Sequence, residues 1–228
     1  MRPVRKLAIG LWVAVFLVAG IRFGSSWQQR PEDRTVKITA DSGVNSTDNS
    51  QPIVPIETSE APVAVGERLP DLRLPDLKGQ QRALSEWSGR TVLINFWATW
   101  CAPCRKEMPL LEQFQESQDP ARLQVIGIAI DRRDPVLQFI GDTGVTYPNL
   151  VGELDATRAA EQFAVGFALP LSVVAAPDGT VLAVHTGEIR VSDLEQIAAV
   201  AAGLAAGTLS SRDAPARLKL GFPATPAR

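Results

Sequence analysis

The only two cysteines among 228 residues stand three positions apart, in Trp100-Cys101-Ala102-Pro103-Cys104. Thiols at that spacing, where a strand gives way to a helix, can join in a disulfide and reopen, so the chemistry open to them is dithiol–disulfide exchange. Cys101 is expected to sit exposed at the helix N-terminus, where unpaired N–H groups and the helix dipole favour thiolate over thiol. Cys104, one turn further in, is shielded and suited to attack a mixed disulfide formed by Cys101. Pro103 costs little in a first helical turn, where its missing N–H has no partner to lose, and it stiffens the ring. Two other readings compete. A purely structural disulfide is one, although so short a loop constrains the unfolded chain less than a long one. A zinc or iron–sulfur site is the other, and it needs further soft ligands that the lone His185, with no third cysteine, cannot supply.

The flanking sequence has to build that strand-to-helix junction. Thr91 to Ala98 reads TVLINFWA, a continuous apolar run rich in β-branched and aromatic residues, as a strand buried on both faces requires. Val125 to Ile130, VIGIAI, is a second such run. Between them Cys104 to Gln118 has a helical pattern, with Met108, Leu111 and Phe114 three apart. Strand, helix and strand in that order make a right-handed crossover and a parallel pair. Asp134-Pro135 is read as an N-cap and first turn opening a helix through Phe139 and Ile140. Asp155 to Phe163 is a further short helix. Leu171–Val174 and Val181–Val184 flank the turn signal Pro177-Asp178-Gly179-Thr180 and form an antiparallel hairpin. Ser192 to Glu195 has capping-box spacing ahead of a helix with Leu194, Ile197, Ala198, Ala201 and Leu204 on one stripe. The domain is therefore α/β, with an antiparallel edge on a parallel sheet.

Organisation along the chain separates this domain from its ends. Lys and Arg total 23 against 25 Asp and Glu, a net charge of -2, which offers no broad attraction to nucleic acid phosphates. Yet residues 1–30 hold Arg2, Arg5, Lys6, Arg22 and Arg30 and no acid. Behind the basic cluster, Leu7 to Ile21 runs fifteen residues without a charge. With its flanks it approaches the roughly 20 residues of a spanning helix. We expect residues 1–24 to be a signal anchor with its N-terminus in the cytoplasm; the same features also fit a cleaved signal peptide. Residues 25–62 read as a flexible linker, in which Asn45-Ser46-Thr47 matches a glycosylation acceptor. Residues 63–206 form the compact domain, and 207–228 a loosely structured tail.

Val92 to Pro109, VLINFWATWCAPCRKEMP, resembles the membrane-tethered thioredoxin-like proteins of the TlpA/ResA type. Val65-Gly66-Glu67-Arg68-Leu69-Pro70-Asp71-Leu72, then Asp76 to Gly79 and Leu84 to Gly89, resemble that family's N-terminal extension. The resemblance implies a thioredoxin-like α/β fold, a mixed central sheet flanked by helices with an N-terminal hairpin added. It implies that Cys101 is the attacking thiol and Cys104 the resolving one, that Pro109 kinks the redox helix, and that Pro170 is a cis-proline packed against the cysteine pair. Leu169 departs from the Thr that many relatives carry, which either alters substrate contact or is a packing substitution. Asn95 replaces the acid that ordinary thioredoxins hold six residues before the first cysteine. Glu107 stands where ResA-like proteins place a functional acid, to be weighed against a solvated residue beside Arg105 and Lys106.

The resemblance also implies a protein-disulfide reductase, with apocytochrome c the leading substrate and other exported proteins behind it. Its electrons would come from a membrane thiol donor of the CcdA/DsbD type. The location implied is the bacterial inner membrane, single-pass, with the catalytic domain in the periplasm. A disulfide-forming oxidant, a thiol peroxidase and a non-catalytic binding module remain as alternatives. Trp97 is expected in the core and Trp100 at the docking rim; His185 is read as a core or surface residue, and Arg132-Arg133 as a solvated loop. With no glycine-rich dinucleotide loop, no NADPH, flavin or haem is implied as a bound cofactor, and no metal.

Overall fold

The computed structural model describes residues 61–164 and 166–220. The signal anchor, the linker as far as residue 60 and the glycosylation acceptor lie outside them. Among the described residues no helix is long and apolar enough to cross a membrane.

The N-terminal extension is a small antiparallel hairpin, β1 (Arg73–Pro75) and β2 (Gln81–Ala83). Asp76 holds its turn, with Oδ1 accepting the N–H groups of Lys78 and Gln80 at 2.8 and 2.9 Å, and Gly79 supplies the left-handed φ of +81°. A 3₁₀ turn, Leu84–Trp87, leads into β3 (Thr91–Trp97), which is buried at every residue as its continuous apolar run requires. Then follow α1 (Ala102–Ser117), β4 (Leu123–Ile130), α2 (Arg133–Thr143), β5 (Asn149–Gly152) and α3 (Leu154–Glu161). The domain continues with β6 (Leu171–Ala175), β7 (Val181–Thr186) and α4 (Val191–Ala205).

The five longer strands form one mixed sheet in the order β5-β4-β3-β6-β7, parallel among the first three and antiparallel beyond β3. Side chains alternate across β3. Leu93 and Trp97 face the core made with α1, α2 and α4, whereas Val92, Ile94 and Phe96 face the core made with α3 and the hairpin extension. Asn95 falls by the same alternation on the α1 side. The sheet register sets Asn149, Gly127, Asn95, Ser172 and His185 opposite one another in a single row across β5, β4, β3, β6 and β7.

Several sequence-based expectations shift. β5 has no clear signature in the sequence, because Asn149-Leu150-Val151-Gly152 has two apolar residues between polar or flexible ends, too short a run to stand out. Asp134 is not the N-cap of α2. That place belongs to Arg132, because Asp131 already receives the Arg132 N–H at 2.7 Å and sends the chain into the helix two residues early. The capping contact of α4 is also displaced: the helix begins at Val191, and Asp193 accepts the N–H of Arg190 at 2.9 Å. α3 spans Leu154–Glu161 rather than 155–163. The tail is not loose over its described part. A 3₁₀ turn at Ala214–Arg217 returns it to the domain, where Ala214 and Leu220 are buried in the α1/α4 core. Packing Leu220 there removes its apolar side chain from water.

Candidate functional site

After β3 the chain makes a tight turn, with the Cys101 N–H donating to the Ala98 carbonyl at 3.1 Å. Asp131, at the end of the neighbouring strand β4, holds that turn. Its Oδ2 accepts both the backbone N–H and the hydroxyl of Thr99, at 3.1 and 2.5 Å. Cys101 thereby becomes the N-cap of α1, in extended conformation, with Ala102 and Pro103 in the first turn. Its Sγ accepts the Cys104 N–H at 3.3 Å, so the sulfur takes up one of the donors a helix start leaves unpaired. The two sulfurs are bonded to each other, with Cα atoms 5.3 Å apart.

Cys104 is fully buried, as expected. Cys101, expected to be exposed, keeps only 6% of its surface. It occupies the cap rather than the first turn, and it faces a cleft of about 650 Å³ walled by Trp100, Ile130, Thr157, Phe167 and Leu169. Cys101 thus lines that cleft and is not openly exposed. Trp100 stands at the rim with 68% of its surface exposed, and Trp97 is wholly buried. The Leu169–Pro170 peptide is cis, Pro170 is buried, and its carbonyl accepts the Gly187 N–H at 2.8 Å. Leu169 is thus held as an apolar wall beside Cys101.

Glu107 lies three residues beyond Cys104 on the same helix face, turned inward, and only 3% exposed. Oε1 accepts the side-chain amide of Asn95 and Oε2 the backbone N–H of Ile189, both at 2.8 Å. Burial drives its pKa from the usual 4.5 up to about 7. The Ile189 and Asn95 donors pull the other way, and the neighbouring Glu188 charge adds to the rise. Arg105 is exposed, and Lys106 pairs at the surface with Glu188 at 3.0 Å. The solvated-residue reading of Glu107 therefore fails. Pro109 lies inside α1 and withholds one helical N–H.

The residues the sequence did not disclose are those reached over long separations. Asn149 accepts the Trp97 indole N–H at 3.0 Å and gives its own amide to the Tyr147 carbonyl at 3.0 Å. Glu112 on α1 takes the N–H and hydroxyl of Thr146. Asp131, Ser172 and Ile189 complete the set, and no local spacing marks any of them. His185 is buried at the end of the register row, and Arg133, read as solvated, donates to the Leu77 carbonyl at 2.8 Å and so ties α2 to the extension.

The family model described as Redoxin matches residues 64–198. The thiol-disulfide oxidoreductase ResA of Geobacillus kaustophilus is 31% identical over 140 residues, covering 61% of this chain and 79% of that protein. The thioredoxin-like protein YneN of Bacillus subtilis is 29% identical over 141 residues, covering 60% of this chain and 80% of its own length. Among solved structures, a secreted thiol-disulfide isomerase from Corynebacterium glutamicum superposes with a TM-score of 0.53 at 29% identity, covering 63% of this chain and 92% of the other.

Proposed function

This chain belongs to the Redoxin family and is a thiol-disulfide oxidoreductase of the ResA type, and from that premise we propose that it reduces disulfides of exported proteins, apocytochrome c foremost. In this reading residues 1–24 anchor it in the inner membrane, the domain works on the periplasmic side, and a membrane thiol donor of the CcdA/DsbD type returns it to the dithiol form. One observation carries the reading: a carboxyl group poised near pH 7 is buried one turn behind the shielded cysteine. A structural disulfide has no use for such a group, whereas a resolving thiol that must lose a proton inside the protein does.

The cycle runs as follows. In the reduced protein the Cys101 thiolate attacks one sulfur of a partner disulfide, the partner S–S bond breaks, and the departing sulfur leaves as a thiolate that takes a proton from water. Cys101 is now joined to the partner. Cys104 gives its proton to the Glu107 carboxylate, and the Cys104 thiolate attacks Cys101 Sγ. The Cys101–Cys104 bond forms, the mixed disulfide breaks, and the second partner thiolate departs, protonated at the expense of Glu107. Two electrons and two protons have passed to the partner. The apolar cleft holds the partner segment against Leu169 while Trp100 contacts it at the rim.

The test is the reduction potential of the Cys101–Cys104 pair in the full chain, titrated against dithiothreitol and glutathione near neutral pH. A value at or below about -220 mV supports a reductase fed by a membrane donor, and a value near about -120 mV would identify a disulfide-forming oxidant and overturn the direction proposed.

A further inference from the structure

Asn95 is fully buried, yet only one end of its amide is used. Nδ2 donates to Glu107 Oε1 at 2.8 Å and to Ser172 Oγ at 3.2 Å, while Oδ1 has no partner among the described residues. Buried polar atoms are nearly always paired, so an unpaired amide oxygen beside a buried acid calls for an explanation. This orientation suits a carboxylate, which only accepts. It does not suit the carboxylic acid, whose O–H must donate.

A half-turn about the terminal side-chain torsion exchanges two atoms of nearly equal size. It sets Oδ1 toward Glu107, where it accepts the acid's O–H, and toward Ser172, whose hydroxyl changes from acceptor to donor. Glu107 Oε2 keeps the Ile189 N–H in both states. The outward end of the amide is unpaired, so the orientation is chosen by the bonds to Glu107 and Ser172 alone. We propose that Asn95 is a positioning residue that turns over with the protonation of Glu107, donating to the carboxylate and accepting from the acid, with Ser172 reversing in step. Resting on the reading of Glu107 as the proton acceptor for Cys104, the inference explains how a non-titrating residue serves in the strand beneath the cysteine pair. An Asn fixed as donor would favour the carboxylate alone and resist proton uptake; an amide with two usable faces supports both states. The other titratable or charged groups around Glu107 are Glu188, paired with Lys106, Tyr147, whose buried hydroxyl feels the Glu107 charge, and the cysteine pair itself. His185 stands opposite Ser172 in β7.

The experiment uses the isotopically labelled full chain in detergent micelles, reduced, with the Glu107 carboxyl carbon followed by NMR from about pH 5 to about pH 9. Proton–proton Overhauser contacts between the Asn95 amide hydrogens and the Ser172 Hβ atoms are expected about two pH units above the Glu107 midpoint and lost about two units below it. Contacts that persist undiminished while Glu107 titrates would overturn the turnover and leave the functional reading standing. A Glu107 carboxyl that does not titrate in this range would overturn both. Asn95→Leu, close in volume but without either face, is expected to move the acid limb of the pH–rate profile to higher pH, to an about tenfold lower proton concentration, since the bond lost to the charged form is the stronger one. An unmoved limb in that variant would also sink the proposal.

Discussion

Replacing Glu107 with Gln should make the oxidised protein more stable at alkaline pH while leaving it nearly unchanged in acid. The folded-state pKa is raised by burial from 4.5 to about 7, so the folded form holds a proton that the unfolded chain has released. The sign follows from linkage: the favourable term is fully present below pH 4.5, declines as pH rises between the two values and is gone above about 7, where a buried carboxylate must be carried. The gap corresponds to about 3 kcal/mol. Gln at this position carries no charge at any pH. Its carbonyl can accept the Ile189 N–H, and its amide can donate to Asn95 Oδ1 once the Asn95 amide turns over, so most of the local pairing survives. Urea unfolding of parent and Glu107→Gln, both with the disulfide intact, should give a stability difference that moves toward the variant by about 3 kcal/mol between about pH 4 and about pH 8. Acid loss from other carboxylates is common to both proteins and cancels in the difference. A difference that stays constant with pH would refute the argument that Glu107 titrates from a buried, desolvated state.

Gly127→Ala places a Cβ 2.0 Å from Asn149 Oδ1 and 3.1 Å from Trp97 Nε1, so it must break the bond that holds the buried indole; denaturant unfolding should show a loss of about 2–4 kcal/mol. Cys104→Ser should accumulate mixed disulfides through Cys101 that are visible on non-reducing gels and vanish with dithiothreitol, whereas Cys101→Ser should accumulate none. Trp100→Ala should leave stability within about 0.5 kcal/mol, since the side chain is 68% exposed, but should raise KM for a disulfide-bearing protein substrate about tenfold with kcat little changed, a split read by steady-state kinetics. Leu220→Ala should cost about 2 kcal/mol in the same unfolding assay because the residue is buried against the domain; no effect would return the tail to the loose state its composition suggests.

What was legible in the sequence is what depends on neighbours along the chain. The three-residue cysteine spacing, the apolar runs at Thr91–Ala98 and Val125–Ile130 and the turn at Pro177–Thr180 are local patterns, and the elements formed there, with α1 between the two strands. They determine the redox chemistry, the parallel pair that carries it and the antiparallel edge. The cis peptide at Pro170 and the hairpin extension followed from a resemblance in motif. The placement of Glu107 did too, but not its state: a carboxyl's pKa is set by what surrounds it, and its two donors come from residues 12 and 82 positions away. Asp131 reaches Thr99 across 32 positions, and Asn149 reaches Trp97 across 52. The burial of Cys101 arises in the same way, from a cleft whose walls come from β4, α3 and the cis-proline loop. By itself the sequence determined which atoms can react, because reactivity resides in residue type and short spacing. Only the tertiary structure decided how the pair is approached and where its proton goes, because desolvation and hydrogen bonding depend on segments that folding brings together.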